Sequence, residues 1–394
     1  MNAGTIISRP PQLQPRYRYK IHDKLYDLTD FVKVHPGGID MFNNLKPDTN
    51  ITPMIYAYHK KPKSILAMLP KYEVPFTDDI IIQYDTNYTY DKYCELKKMV
   101  YDEIHEKKIP LHWSNKEITY NAFMLSVYLG MWGYCFYYAN NLSYLWMVLL
   151  GVFTNGFGLL TFHETSHYCG FKNQKYNLLY SRYFPFLNGN KWKYKHNYLH
   201  HSFTNTEHDC DLLIDLSWFI RYTNTKLQYN HKFQFIYIFP TFIVSCFASK
   251  KNYISFIYSN KFFLLFVSYY IGIFKLLLFY GSFCLNASII TQLSHIQHEC
   301  IQLNSENKTD YLYNQVSSSM NYRTNCFITR FNSWGLDIQI EHHLFPNIPH
   351  SSLRQIQHIV RGYCEKNDIP YIEKPSIFPT IYSYICYLYK MGNP

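Results

Sequence analysis

Apolar residues fall very unevenly along the 394 residues of the chain. Residues 1–16 hold Pro10, Pro11 and Pro15 among polar residues, with no apolar periodicity, and read as a disordered tail. From Tyr17 to about Pro70 the runs are short and predict a small soluble α+β unit over 17–70. Its expected parts are a strand around Tyr19-Lys20-Ile21, a turn at His22-Asp23-Lys24, a strand over Leu25–Leu28 and a helix entered at Thr29 or Asp30. Mixed, charged sequence over 71–116 reads as a linker. The pattern then changes. In 117–394, two apolar stretches of about 20 residues, near Ile118–Tyr138 and Leu142–Phe162, flank the polar Ala139-Asn140-Asn141. At 1.5 Å per residue each matches a hydrocarbon layer of about 30 Å, so together they predict a transmembrane hairpin. Phe233–Ala248 is a shorter third span, and Lys261–Leu293 contains a fourth whose excess length projects into water. The expected fold is mostly α, a multi-pass membrane helical bundle of about four spans with a small α+β unit ahead of it.

Composition narrows the partners. Mean hydropathy is −0.24, an average that conceals the clustered spans. The net charge of +10 suits either nucleic acid or the anionic face of a membrane. Lys and Arg are dispersed, without a basic helix or arginine-rich arm, which favours the membrane and argues against nucleic acid. The ten cysteines stand singly, without a C-x-x-C pair or a secretory signal, so no disulfide framework or zinc ribbon is expected and the working parts should face the reducing cytosol. Lys172, Lys175, Arg182, Lys191, Lys193, Lys195, Arg221, Lys226 and Lys232 lie between the two hairpins and predict that this region is cytosolic. Lys250, Lys251 and Lys261, in the second hairpin's loop, argue the other way. They are outweighed because the histidine clusters must meet in one cavity, which needs an even number of passes between them.

Those clusters carry the chemistry. His163-Glu164-Thr165-Ser166-His167 follows directly on the second span, and its i, i+4 spacing puts both rings on one helical face. His196-Asn197-Tyr198-Leu199-His200-His201 repeats the spacing and adds an adjacent ring. Gln339-Ile340-Glu341-His342-His343 closes the set. Imidazole binds iron, zinc or copper, so residue type alone does not choose the metal. Glu164 beside His163 matches a zinc-protease pattern in part, but seven box histidines exceed the needs of one tetrahedral zinc. Two metals fit better.

In the N-terminal unit, His35-Pro36-Gly37-Gly38 follows Tyr26-Asp27-Leu28-Thr29-Asp30-Phe31, and His59 comes 24 residues after His35. This resembles the haem-binding loop of the cytochrome b5 family, with His59 at the second-ligand position. The resemblance implies haem b held by two imidazoles, six-coordinate and therefore suited to electron transfer. The family normally has a further strand and helix ahead of the Tyr19 strand. Here that place holds the proline-rich tail, so an abbreviated pocket is expected.

The three boxes, with Trp192-Lys193-Tyr194-Lys195 leading into the second and Leu344-Phe345-Pro346 following the third, resemble those of the membrane fatty-acid desaturases. Gln339 in place of a first histidine, together with the N-terminal unit, resembles the front-end branch, which includes acyl-chain and sphingoid-base desaturases. Departures are Glu164, where front-end enzymes usually show Asp, and Cys210 between Asp209 and Asp211, where Pro is usual. Glu164 is similar to the first box of sphingolipid desaturases. The resemblance implies a cytosolic, histidine-rich di-iron cap with His163, His167, His196, His200, His201, His295, His342 and His343 as ligands of two non-haem Fe ions. His295 would come from the last membrane helix, with His298 as its alternative. Gln339 would act in catalysis as a weak ligand or hydrogen-bonding group. Asp209, Asp211 and Glu341 would orient ligand rings or face solvent. The implied reaction is oxygen-dependent desaturation of a fatty-acyl lipid, with electrons from an NAD(P)H-dependent cytochrome b5 reductase passing through the haem. The implied place is the endoplasmic reticulum membrane, with active site and haem unit towards the cytosol. Long-chain-base desaturation, acyl hydroxylation and a non-catalytic electron carrier remain the competing functions.

Overall fold

His22 takes a left-handed φ of 52°, which closes the tight turn between β1 (Arg18–Ile21) and β2 (Lys24–Asp27). The computed structural model describes residues 17–43, 45–76, 81–82, 84–184, 188–209, 219–222, 226–248, 266–300 and 309–394. The expected tail over 1–16 lies outside them, as do Cys210, Asp211, Lys250, Lys251 and Lys261. The chain divides into two compact units, Met1–Asp85 and Thr86–Pro394.

In the first unit β1 pairs antiparallel with β2 and parallel with β3 (Thr49–Asn50), and β4 (Glu73–Val74) adds to the far side of β2, giving the order β3-β1-β2-β4. Tyr19, Ile21, Leu25, Leu28 and Val32 form its buried core. The helix expected at Thr29 or Asp30 is only a single 3-10 turn, Phe31–Lys33. The reason is local: Asp27 Oδ1 takes both the backbone N–H of Thr29, at 3.0 Å, and its hydroxyl, so the chain enters a side-chain-stabilised turn instead of a capped helix. Two short helices follow, α1 (Thr52–Tyr58) and α2 (Pro62–Leu66), with His59 at the C-cap of α1.

The second unit is mostly helical. The stretch expected as a linker contains α3 (Asp91–Glu106), which buries Tyr93, Leu96, Val100 and Ile104 along one face, at helical spacing. α4 (Asn115–Tyr137) starts from a reciprocal cap, with Ser114 Oγ accepting from Glu117 N while Glu117 accepts from Ser114 N at 2.8 Å. α5 (Tyr144–Phe153) runs through a π-helical stretch, Thr154–Leu159, into α6 (Leu160–Ser166). Then come α7 (Gln174–Tyr183), α8 (Gly189–Trp192), a second π-helical stretch at Lys193–His200, α9 (His201–Phe203) and α10 (Gln234–Ala248).

Among the described residues two helices are long and apolar enough to cross a membrane, Tyr144–Ser166 and Ile273–Leu293, the latter being α12. The apolar window of α12 is 39% buried, against 61% for that of Tyr144–Ser166. α4 is long enough, but Tyr, Ser, Asn and Gly dilute its apolar character, and α10 has 15 described residues with Pro240 inside it. Phe123, Leu129, Leu145, Ile236 and Phe274 stand exposed on these helices. The apolar run Lys261–Leu293 is not one projecting helix: helix α11 (residues 266–271) ends at Gly272, whose φ of 87° suits only glycine, and α12 starts afresh. α5 and α12 cross closely because Gly151 has no Cβ, which would stand 2.1 Å from Ser282 Oγ.

The rest of the unit gathers around the ends of these helices. α13 (Tyr311–Ser317), α14 (Phe327–Asn332), α15 (Gln339–Leu344), α16 (His350–Lys366) and α17 (Ile377–Gly392) follow in order. Two short parallel ladders tie distant segments together: β5 (Tyr88–Thr89) with β6 (Thr309–Asp310), and β7 (Asn321–Tyr322) with β8 (Glu373–Lys374).

Candidate metal centre

Each histidine box sits on a helix end that its own sequence prepares. The first occupies the end of α6 and its cap His167, just past one π-helical stretch, and the second ends the other, with His201 opening α9; such widened turns are frequent at functional sites. The third is α15, entered through Gly335, which is left-handed at φ 87°. Asp337 holds that entry by accepting from Arg354 at 2.7 and 2.8 Å and from Ser333 Oγ at 2.9 Å.

The folded chain brings the boxes together. His163, His167, His196 and His342 form one group, and His200, His295 and His343 a second; within each, the potential ligand atoms lie within 4.8 Å of one another. His201 stands between the groups, its ring 4.7 Å from those of His167 and His342 and 4.5 Å from that of His343. All eight imidazoles are buried. Of the two candidates from the last long helix, His295 is in the cluster, whereas the ring of His298 faces Tyr387.

The donor set fits metal ions better than it fits an unfilled interior. Both ring nitrogens of His201, Nε2 of His342 and Oε1 of Gln339 have no hydrogen-bond partner among the described residues, in a place that water does not reach. Nε2 of His163 and Nε2 of His196 face each other at 3.0 Å, which a shared cation on their lone pairs would explain. Burial, and next the fields of neighbouring imidazoles, push His167, His201, His342 and His343 well below the usual histidine range, so these rings are neutral and not cations.

Three rings of the second group are held by their other nitrogen. His200 Nδ1 donates to Asp209, 3.0 Å from each carboxylate oxygen. His295 Nδ1 donates to the Ser318 carbonyl at 3.0 Å, and His343 Nδ1 to Gln315 Oε1 at 2.9 Å. Each bond places the proton on Nδ1 and turns the Nε2 lone pair inward. Gln339 Nε2 lies 2.8 Å from His295 Nε2 and 3.1 Å from His343 Nε2, so its amide shares the second group's cavity.

The acidic residues divide in a way the sequence did not reveal. Asp209 backs a ring, as expected of one alternative. Glu341 does not: its carboxylate turns away, accepting from Tyr371 Oη at 2.7 Å and Asn321 Nδ2 at 2.8 Å. Burial pushes Glu341 up to about 7, with those two donors opposing. Glu164, for which the sequence suggested no structural partner, accepts from Trp113 and His350. Sequence inspection missed His350, Gln315, Thr204 and Ser318, which lie in stretches without a box-like pattern and become relevant only through contacts across the fold.

In the first unit the rings of His35 and His59 stand edge to face, with centroids 6.1 Å apart and planes at 84°. Metal–imidazole bonds of about 2 Å from both rings fit that gap. His59 Nδ1 lies 3.1 Å from the Ile55 carbonyl, which keeps the proton on Nδ1 and leaves Nε2 unprotonated, and His35 Nδ1 lies 3.1 Å from the Gly37 backbone nitrogen. Phe31 and Phe42 meet the His35 ring edge-on.

Comparison with known proteins gives a consistent result. The model of the family described as fatty acid desaturase matches residues 139–375. Acyl-lipid (8-3)-desaturase B of Dictyostelium discoideum is 25% identical, over 95% of this chain and 90% of its own length. Probable Delta(5) fatty acid desaturase C of the same organism is 24% identical over 98% and 94%, and Delta(8)-fatty-acid desaturase of Euglena gracilis 24% identical over 89% and 90%. No solved structure matches the chain.

Proposed function

The chain belongs to the fatty acid desaturase family, and from that premise we propose a front-end acyl-lipid desaturase that holds two non-haem irons in its second unit and haem b in its first. The observation that carries this reading is the convergence of eight buried imidazoles and Gln339, from four separate segments, on one cavity. His163, His167, His196 and His342 would hold one iron, His200, His295 and His343 the other, and His201 would face both. When bound, the irons supply the dioxygen-dependent oxidising power that no side-chain acid or base has towards an unactivated acyl C–H pair.

The protein's own part is to position and to exclude. Burial keeps the imidazoles neutral and available as ligands. Asp209, Ser318 and Gln315 fix ring orientation, and Trp334, Leu336 and Ile348, which line the space beside His163, His167 and His342, keep it dry. Gln339, being an amide where a stronger imidazole ligand would otherwise stand, offers donors or a weak carbonyl ligand at the second iron. His35 and His59 would hold the haem, which would take electrons from an NAD(P)H-dependent cytochrome b5 reductase. We assign four membrane passes, α4, α5 with α6, α10, and α11 with α12, which leave both ends and the histidine cavity on the cytosolic side of the endoplasmic reticulum membrane. The 17–70 haem unit and the 117–394 desaturase unit then face the same compartment.

The test is expression in a host without polyunsaturated lipids, fed a panel of acyl chains, with double-bond-locating mass spectrometry. A product two hydrogens lighter, with its new double bond between an existing one and the carboxyl end, is expected. A product heavier by one oxygen would replace desaturation with hydroxylation. Tags at the N-terminus, after Lys226 and at the C-terminus should all be cytosolic, and glycosylation of a site placed near Lys226 would refute the topology.

A further inference from the structure

Gln315 belongs to none of the three boxes. It lies on α13, between His298 and the third box, in a stretch that carries no histidine, and it is fully buried. Its Oε1 is the nearer acceptor to His343 Nδ1, at 2.9 Å, and Thr204 Oγ1 lies 3.1 Å from both that Nδ1 and Gln315 Oε1. The single hydroxyl proton of Thr204 goes to the His200 carbonyl at 2.7 Å, so this small network joins the second and third boxes directly.

The orientation of that amide decides the chemistry of the ring behind it. An oxygen facing Nδ1 demands a proton there and leaves Nε2 unprotonated, as a metal ligand must be. The opposite face of the amide, an N–H donor, would stabilise the other tautomer and protonate Nε2. Just past the end of α13, the Ser318 carbonyl accepts from His295 Nδ1 at 3.0 Å and from Asn205 Nδ2 at 3.2 Å. One short helix with its C-cap therefore sets two of the three imidazoles in the second group.

We infer that α13 is the template of the second metal position and that Gln315 is its positioning residue, holding His343 in the ligating tautomer. The inference rests on the di-iron reading above. It assigns a role to a segment that contributes no ligand, and it makes the two metal positions separable: damage at Gln315 should empty the second and spare the first.

The experiment uses the full-length chain purified in detergent, with iron quantified apart from haem and examined by Mössbauer spectroscopy. The parent should hold two non-haem irons. Loss of the hydrogen-bond partner behind a ligating histidine costs about 10–100-fold in metal affinity, so Gln315→Leu should keep about one iron per chain. Gln315→Glu keeps an acceptor oxygen and adds charge; it should retain both irons while shifting the spectrum of one, since an anionic acceptor makes His343 a stronger donor. Two irons with an unchanged spectrum in Gln315→Leu would overturn the inference. Should Gln315→Leu not fold, an unchanged spectrum in Gln315→Glu overturns it equally. A parent chain with no non-haem iron would instead refute the di-iron reading.

Discussion

Glu164 accepts two hydrogen bonds from His350, one from its backbone nitrogen at 2.8 Å and one from its ring at 2.6 Å. Glu164 sits between His163 and His167, and His350 is the first residue of α16, so this pair clamps the first box to the segment that follows the third. The clamp is tight on its other side too, where a Cβ on Gly335 would stand 2.5 Å from the His350 ring. Burial opposes a charge on His350, but the Glu164 carboxylate outweighs it and raises the ring's affinity for a proton.

Breaking one partner of a buried pair of this kind costs about 3–5 kcal/mol. His350→Ala should therefore lower the thermal unfolding midpoint in detergent and reduce bound metal, because Glu164 is left buried without its main donor. An unchanged midpoint together with a full metal complement would show that the clamp contributes little.

Gln339 and His343 lie on the same face of α15, with Gln339 Nε2 3.1 Å from His343 Nε2. Gln339→Ala should strongly lower desaturation while leaving most of the iron in place, since eight imidazoles still surround the cavity. His343→Ala should lose both iron and activity. Parental turnover in Gln339→Ala would reduce the amide to a spacer.

His35→Ala or His59→Ala should abolish the low-spin haem spectrum and leave the non-haem iron untouched, because the two sites share no ligand. The 6.1 Å ring separation motivates this. A Soret band that survives both substitutions would end the haem assignment.

Lys97 is fully enclosed by α3 and its neighbours, its ammonium over the rings of Tyr93 and Tyr101, and burial pushes it down to about 7. A free lysine titrates near about 10.4. Between these values the unfolded chain binds more protons than the folded one, so this residue's contribution makes stability rise with pH across that window and is most unfavourable below pH 7. Lys97→Met should stabilise the chain at pH 6 by on the order of 1–4 kcal/mol, with the gain fading as pH approaches 10. Unfolding midpoints of both proteins at the two pH values test this, and a gain that does not depend on pH would contradict it.

The features legible from the sequence were those written within one or two turns of chain. The i, i+4 spacing of His163 with His167 and of His196 with His200 fixes a shared helical face wherever the helix lies, and the apolar run ending at Phe162 needs only its own length to suggest a membrane helix. The His35 to His59 interval was legible for a related reason, since both flank short local elements. Other decisions needed the tertiary structure. His295 and His298 are three residues apart, and only packing shows that one enters the cavity while the other meets Tyr387. Glu341, next to His342, turns to Tyr371 and Asn321, while Glu164 finds His350 across 186 residues of sequence. Gln315 carries no signal of its own beside His343, and the left-handed Gly272 divides an apolar run that reads as one helix. Periodicity settles which residues share a face. Which faces meet, and which carboxylate or amide stands behind each ring, depends on contacts between distant segments that local spacing does not encode.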